Sequence, residues 1–220
     1  MKNVLKILLA LCLVGLLIVG VSYLLASGSP YYGREEIAAA KPVIYLYPEE
    51  VTDVTVKLDY VTGELTCTYP VYNNGWQVTA APDGTLTDET GQTYNYLYWE
   101  GLGTEQYDVS HGFCIPGAET AAFLEEALAQ LGLTRKEANE FIVYWLPRME
   151  QNPYNLIAFQ QEAYTETARL TVTPQPDSIL RVFMTWKPLN DPVDIPSQTL
   201  PSFERRGFTL VEWGGAQINK

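Results

Sequence analysis

The feature that most constrains this chain is an uncharged apolar run close to its amino terminus. Ile7–Ala26 carries no charged side chain over 20 residues. As an α-helix, a run of that length measures about 30 Å, the hydrocarbon thickness of a bilayer, whereas the apolar core of a cleavable signal spans only about 7–15 residues. The run therefore predicts a transmembrane anchor, or an uncleaved signal, over residues 1–26. The small residues Ala26-Ser27-Gly28 leave a cleaved signal peptide as an alternative.

Charges on either side of the run predict its orientation. Lys2 and Lys6 precede it, while Arg34 on the far side is followed at once by two glutamates. Because positively charged flanks stay in the cytoplasm, we expect a cytoplasmic amino terminus and a single pass through the plasma membrane. Glycines and a proline mark residues 27–41 as a linker, which makes residues 42–220 an extracytoplasmic domain.

Composition limits the partners of that domain. The chain has a net charge of −12, and because Lys2 and Lys6 lie before the apolar run, the remainder holds 12 basic against 26 acidic residues. Nucleic-acid phosphates and anionic lipid headgroups would repel such a domain. Composition thus argues against nucleic acid and leaves residues 7–26 as the contact with the membrane. No residue pattern indicates a cofactor.

Most of the remaining chain alternates between apolar and polar residues, as half-buried strands do. Val54–Tyr60 and Leu65–Tyr69 flank the turn Thr62-Gly63 and predict an antiparallel hairpin. The same alternation predicts further strands over residues 43–47, 76–80 with a hairpin partner at Leu86, 94–100, 156–159, 168–173, 180–186 and 208–213.

Two segments in the middle of the chain have helical spacing instead. Residues 120–131 place apolar side chains on one face and stop at Gly132. Thr134 and Glu137 have the spacing of a capping box at the start of a second helix, which Pro147 should bend or end. The order of elements predicts an α+β fold, an antiparallel β-rich domain with a central pair of helices packed on one face. The pattern leaves open a twisted sheet or a sandwich.

The stretch VSHGFCIP, residues 109–116, holds the chain's only histidine, His111, three residues before Cys114. It resembles the Ser-His-Gly-Cys signature of L,D-transpeptidases, exported enzymes that cross-link the cell wall. The resemblance implies that Cys114 attacks an acyl group and that His111 raises its thiolate fraction. The chain departs from that signature through the extra Phe113, through Ile115-Pro116 in place of an arginine, and by lacking a second histidine. The alternative is a loop at His111 that enters an edge strand.

Cys114 has a second predicted role. Outside the membrane it could form a disulfide with Cys67, since both lie in predicted strands. The alternative is a pair of free thiols that behave as small apolar side chains. One histidine and two distant cysteines match no ligand spacing, so the sequence predicts no metal site.

Two glutamates stand next to tryptophans, Glu100 after Trp99 and Glu212 before Trp213. A pair of carboxylates beside aromatic rings suits sugar hydrolysis, in which one acts as acid and the other as base or nucleophile. Solvated carboxylates at strand ends are the alternative.

The segment YWLPRMEQNPYN, residues 144–155, predicts a polar cleft in which Arg148, Glu150 and Tyr154 bind a ligand. The alternative is a helix end whose last carbonyls are capped by Arg148 and nearby amides. Trp99, Trp213 and the other tryptophans, with the stripe Tyr94, Tyr96 and Tyr98, predict either a carbohydrate-stacking surface or a sheet core. 

Three classes of function therefore remain. The first is a membrane-anchored, non-enzymatic module that binds a cell-envelope glycan, peptide or protein. The second is an exported hydrolase or transferase acting on cell-wall or carbohydrate substrates, with His111, Cys114, Glu100, Glu212 or Asp108 in catalysis. A structural subunit of an envelope complex is a third possibility. An open cleft joining two titratable groups favours the enzyme, whereas an exposed aromatic patch favours the binding module.

Overall fold

Three layers stack in the computed structural model, which describes residues 36–218. A pair of helices covers one face of a seven-stranded sheet, and a five-stranded sheet covers the other face. The predicted anchor, residues 7–26, lies outside the described residues, as does most of the predicted linker. Between residues 36 and 218, no helix is both long and apolar enough to cross a bilayer.

The strands are β1 (Ile37–Tyr47), β2 (Thr52–Tyr60), β3 (Gly63–Tyr69), β4 (Trp76–Ala80), β5 (Leu86–Thr87), β6 (Thr93–Tyr94), β7 (Leu97–Gly103), β8 (Phe113–Pro116), β9 (Tyr154–Gln160), β10 (Ala168–Thr173), β11 (Ser178–Leu189) and β12 (Thr209–Gln217). The helices are α1 (Thr120–Leu131), α2 (Arg135–Met149) and the short α3 (Glu162–Thr165).

The seven-stranded sheet has the order β3-β7-β1-β12-β11-β9-β8, and the five-stranded sheet has the order β10-β2-β4-β5-β6. All strand pairs are antiparallel except β11 and β12, which are parallel and are joined by a crossover loop over residues 190–208. The β-rich α+β class with a helix pair is therefore confirmed. Of the two arrangements that the sequence left open, a single twisted sheet or a sandwich, the structure has two stacked sheets, and the larger one contains both parallel and antiparallel pairs.

The large sheet is buried on both faces, which explains the composition of its central strand. In β12 every residue from Thr209 to Ala216 is buried. Val211 and Trp213 pack towards the helices, while Leu210 packs towards the small sheet. Strand residues alternate between faces, so Glu212, between Val211 and Trp213, must point into the space between the two sheets.

The helix boundaries follow local signals. Gly132 ends α1 with φ +100°, a left-handed conformation that glycine adopts without a steric penalty. At the start of α2, the Thr134 side chain accepts from the Glu137 amide and the Glu137 carboxylate accepts from the Thr134 amide, so the capping box is confirmed. Pro147 does not end the helix, because α2 continues to Met149, so of the two predicted outcomes only a bend stays a prediction.

The predicted hairpin between Val54–Tyr60 and Leu65–Tyr69 is wrong. β2 pairs with β4 and β10 in the small sheet, whereas β3 pairs with β7 at the edge of the large one. The turn at Thr62-Gly63 carries the chain from one sheet to the other. The hairpin between β4 and β5 is confirmed.

Two strand boundaries also differ from the prediction. β1 begins at Ile37, inside the predicted linker, and pairs with Gly103 from its first residue. The predicted strand over residues 94–100 is interrupted after Tyr94, where the chain leaves β6 of the small sheet and enters β7 of the large sheet at Leu97. Residues 95 and 96 thus connect the two sheets.

Candidate functional site

His111 and Cys114 are not brought together. His111 is exposed, and its Nδ1 lies 3.1 Å from the Ser110 hydroxyl. Cys114 lies in the edge strand β8, where its Sγ accepts a hydrogen bond of 3.4 Å from the Val193 amide. The extra residue Phe113 packs against the helix-side core, so strand alternation turns Cys114 to the other face. The alternative of a loop entering an edge strand describes this segment, and the implied nucleophile-base pair does not form.

The predicted disulfide does not form either. Cys67 and Cys114 are both free thiols. Cys67 lies in β3 and Cys114 in β8, the two opposite edge strands of the large sheet. Six inter-strand spacings of about 4.8 Å separate those edges by about 29 Å, whereas a disulfide needs Cα atoms within about 7 Å.

Glu100 and Glu212 lie on opposite faces of the large sheet. Trp99 is in the core between the sheets, so its neighbour Glu100 points to the helix side. Glu212 points between the sheets, where its Oε1 accepts a 3.1 Å hydrogen bond from the Trp99 indole. A paired-carboxylate glycosidase site is therefore wrong, since the backbone of the sheet stands between the two groups.

Glu212 has a structural partner instead. Its Oε2 lies 2.5 Å from Nε of Arg181, and the two side chains are 0% and 9% exposed. Burial by itself would lower the pKa of Arg181, but the charge of Glu212 raises that pKa above its ordinary value. The guanidinium also stacks over the ring of Tyr164 at 4.7 Å. This network ties three strands of the large sheet, β7, β12 and β11, to the short helix α3.

The segment from Tyr144 to Asn155 is a capped helix end. Arg148 is exposed, donates to the Tyr144 carbonyl and stacks 4.1 Å over the Tyr144 ring. The amide of Asn152 donates to the Arg148 carbonyl at 3.2 Å, and Asn155 donates to the Met149 carbonyl at 2.9 Å. Glu150 is the C-cap of α2, and Tyr154 opens β9 in a half-buried position. The capping alternative therefore accounts for the residues that predicted a polar cleft.

The tryptophans belong to the cores. Trp99 and Trp213 are fully buried, and Trp76, Trp145 and Trp186 are each 2% exposed. Trp213 packs edge-on against Phe141 on the helix side, with ring centroids 5.3 Å apart. No tryptophan is therefore available to stack on a ligand, and the prediction that Trp99 and Trp213 bind one is wrong.

Part of the tyrosine stripe does line an open site. Tyr69, Tyr94 and Tyr96, with Thr85, Thr93 and Asn95, surround a depression of about 380 Å³, which we call the tyrosine hollow. It lies where the chain passes from the small sheet to the large one. Tyr69 is 60% exposed. Aromatic faces, hydroxyls and an amide around one depression combine apolar stacking surface with neutral hydrogen-bonding groups.

The rings of the hollow are held in place before any ligand arrives. Tyr69 and Tyr94 meet edge-on with centroids 5.4 Å apart. The Tyr94 hydroxyl donates to Oδ2 of Asp88 at 2.9 Å, which raises the pKa of Tyr94. Oδ1 of Asp88 in turn accepts from the Thr90 and Gln92 amides at 2.9 and 3.0 Å. The loop thus fixes the orientation of the Tyr94 ring.

Tyr96 is fixed from the other side. Its ring meets Tyr45 edge-on at 5.3 Å, and its hydroxyl accepts a 3.2 Å hydrogen bond from Lys41 Nζ. The same ammonium lies 4.7 Å from the Tyr96 ring centroid and 5.1 Å from that of Tyr98. Lys41 adopts φ +60° at an irregularity in β1, and its amide donates to Glu100 Oε1 at 3.2 Å. Such a conformation is unfavourable for lysine and persists only where its surroundings hold it.

Sequence reasoning singled out two of the six residues that line this site. The period-two stripe singled out Tyr94 and Tyr96, whereas Tyr69 and Thr85 come from elements that no local pattern joins to them. Tyr69 lies directly opposite Tyr98 in the pairing of β3 with β7, a pairing that no pattern in the sequence indicated. Within residues 36–218, no group of three or more His, Cys, Asp or Glu side chains is placed to hold a metal ion.

Comparison with known proteins adds one relative. No protein-family model matches the chain, and no solved structure matches it. A protein of Butyrivibrio fibrisolvens, named "Uncharacterized protein in bglA 3'region", is 55% identical over 64 residues. The match covers 28% of this chain and 65% of the relative, so the chain spans about two thirds of the relative's length. The name of this relative states no activity.

Proposed function

We propose that this chain is a membrane-anchored extracytoplasmic binding module that holds a glycan of the cell envelope in the tyrosine hollow. The observation that carries the proposal is the grouping of Tyr69, Tyr94 and Tyr96 around a depression that also offers Thr85, Thr93 and Asn95. Aliphatic faces of sugar rings stack on aromatic side chains, and sugar hydroxyls pair with hydroxyl and amide groups.

Charge favours a neutral glycan. The chain beyond the apolar run holds 12 basic against 26 acidic residues. Asp88 accepts from the Tyr94 hydroxyl, and Glu100 accepts from the backbone amide of Lys41, whose side chain contacts Tyr96. Lys41 is the one described cation in contact with Tyr96, and its ammonium is engaged by that tyrosine. A polyanionic chain such as a uronate polymer would be repelled.

Membrane anchoring is supported by Ile7–Ala26 and its flanking charges. Its test is fractionation of cells that produce the tagged full-length chain. We expect the chain to stay with membranes in alkaline carbonate and its carboxyl-terminal tag to be removed by protease added to intact cells. Release by carbonate, or a tag that is cleaved only after lysis, contradicts this location.

Glycan binding is tested with the full chain in a detergent that has no sugar headgroup. Soluble oligomers of N-acetylglucosamine, of glucose and of rhamnose, three neutral sugars of envelope polysaccharides, are titrated by calorimetry, and ligand protons close to the protein are identified by saturation-transfer NMR. We expect at least one series to bind. Tyr69→Ala should weaken that binding about tenfold or more, since loss of a stacking ring costs about 1.4 kcal/mol or more.

Tyr154→Ala is the control, because Tyr154 is a half-buried tyrosine in β9, five strands away from Tyr69 of β3 in the order of the large sheet. It should leave the affinity unchanged. Failure of all three series, or equal losses in the two variants, contradicts the proposal. The exported hydrolase or transferase remains the alternative, although its predicted pairs are separated, and release of shortened sugars in the same mixtures would favour it.

A further inference from the structure

A second cleft borders β11, three strands away from β7 in the order of the large sheet. It has a volume of about 370 Å³ and is bounded by Ile179–Val182 of β11, by Phe159 of β9, by Leu131 of α1 and by Leu200–Phe203 of the crossover loop. We call it the β11-edge cleft. Phe159 and Leu131 are nearly buried, while Ile179 is 46% exposed at the opening. The tyrosine hollow involves none of these residues.

One wall of this cleft is an open strand edge. β11 pairs with β12 from Ser178 to Trp186, but with β9 only from Phe183 to Leu189. After Gln160 the chain turns away from the sheet into α3. Within the part of the chain that the structure describes, residues 178–182 therefore have a strand neighbour on one side only.

Alternate residues of β11 bond to β12, and the remaining residues present their backbone N–H and C=O groups to the cleft. The Trp186 carbonyl accepts from the Ile218 amide at 2.9 Å, and the Ser178 amide donates to the Phe208 carbonyl at 3.2 Å, so the even-numbered residues of β11 bond towards β12. The Asp177 amide, just before the strand, donates to the same Phe208 carbonyl at 2.8 Å. In a parallel pair the intervening residues point their N–H and C=O the other way. Ile179 and Arg181 therefore present their backbone groups to the open side.

The pairing of β11 with β9 indicates independently that the odd-numbered residues of β11 bond to the β9 side. Phe159 lies opposite Met184, yet its N–H and C=O are bonded to the Gln198 side chain at 2.8 and 2.6 Å. Phe159 and Met184 are thus a non-hydrogen-bonded pair, and Phe183 is the residue that bonds to β9. Counting back by two gives Arg181 and Ile179. Two donors and two acceptors consequently line the cleft.

We propose that the β11-edge cleft binds an extended peptide segment of another protein, which adds to β11 as a strand where β9 ends. An extended backbone satisfies the groups of Ile179 and Arg181, whereas an apolar small molecule leaves them unpaired. The charged side chains of the cleft are Arg181, which is paired with Glu212, and Glu162. A segment that is neutral or basic and carries an apolar side chain matches this lining.

Hydrogen exchange tests the free protein first. In the full chain in detergent, the amides of Ile179 and Arg181 should exchange much faster than those of Leu180 and Val182, because only the latter bond to β12. Equal protection of all four amides overturns the proposal, since the edge would then already be occupied.

Peptide selection tests the occupant. A random seven-residue peptide library displayed on phage is panned against the full chain. Ile179→Pro removes the outward-facing N–H and places a ring in the opening, and proline is tolerated at such edge positions. Ile179→Val is the matched control that keeps both backbone groups. We expect selected peptides to bind the wild type and Ile179→Val equally and to bind Ile179→Pro at least about tenfold more weakly.

Bound peptide should also slow exchange at Ile179 and Arg181 and leave Leu180 unchanged. Two methylated peptides are then compared, one with methyl groups on the odd-numbered backbone nitrogens and one with methyl groups on the even-numbered ones. One of the two should lose binding and the other should keep it, because only alternate residues of an added strand bond to β11. A library that yields no enriched peptide overturns the proposal. So do selected peptides that bind Ile179→Pro as tightly as the wild type, or that do not slow exchange at the amides of Ile179 and Arg181.

Discussion

Arg181 and Glu212 lie directly opposite each other on the parallel strands β11 and β12, and their side chains form an ion pair between the two sheets. The Trp99 indole occupies the other carboxylate oxygen. Both oxygens of Glu212 are therefore committed, and the side chain is fully buried. This arrangement explains why a glutamate occurs in a strand that is otherwise apolar, and it assigns Glu212 a structural role rather than a catalytic one.

Removing one partner of this pair should be costly. Glu212→Gln leaves the buried guanidinium of Arg181 without a counter-charge, so we expect the free energy of unfolding to fall by about 3–5 kcal/mol. Chemical unfolding followed by tryptophan fluorescence measures it. The control is Glu125→Gln, which breaks the exposed pair with Arg135 and should cost less than about 1 kcal/mol. Similar losses in the two variants would contradict the buried network.

Glu137 should make stability depend on acid. Burial alone would raise its pKa, but the Arg205 guanidinium, the Thr134 amide and the Tyr47 hydroxyl together lower it. A carboxyl whose folded-state pKa lies below its unfolded value of about 4.3 contributes fully above that pH and loses its contribution as the pH falls through the folded pKa.

We therefore expect Glu137→Gln to destabilise the protein most at neutral pH, with the difference from wild type shrinking below about pH 4. Unfolding free energies measured between pH 3 and 7 test this. A difference that stays constant across the range would show that the charge of Glu137 contributes nothing. Glu125→Gln again serves as the control, because its exposed partner gives little to lose.

The two described cysteines should remain thiols under oxidising conditions. Cys67 is exposed and Cys114 half-buried, at opposite sheet edges. Native labelling with a maleimide should modify Cys67 first, and digestion without reductant should yield separate peptides for the two. Cys67→Ser should leave the unfolding free energy unchanged. A linked Cys67–Cys114 peptide would show that the strand order of the large sheet is wrong.

Lys41 should affect ligand binding more than stability. Lys41→Gly keeps the positive φ without a steric penalty but removes the ammonium that anchors Tyr96. We expect the free energy of unfolding to change by less than about 1 kcal/mol, and the glycan affinity to fall several-fold because Tyr96 loses its fixed orientation. Asn74→Gly, at another positive φ, is the matched control. Equal affinities in wild type and Lys41→Gly would contradict this role.

The helix pair could be predicted from the sequence because its boundaries depend on residues that are close together in the chain. The spacing of apolar residues predicted α1 over 120–131, Gly132 predicted its end, and Thr134 with Glu137 predicted the start of α2. These features depend on neighbours within about one helical turn. Pro147 does not end α2, since a proline in the last turn removes only one amide and the packing of Trp145 and Met149 maintains the helix.

The candidate site depended on contacts that no local pattern contains. The alternation of side chains along a strand predicted that Trp99 and Glu100 point to opposite faces. It could not predict whether Glu100 and Glu212 lie on the same face of the sheet, or which sheet each strand joins. The sequence by itself determined the acidic, β-rich character of the chain, the long apolar run and the helix pair, because these follow from composition and short-range spacing. Only the tertiary structure decided that Cys67 and Cys114 stand at opposite edges, that the tryptophans are core and that Tyr69 joins Tyr94 and Tyr96, because strand partners are chosen by burying both faces of the large sheet at once.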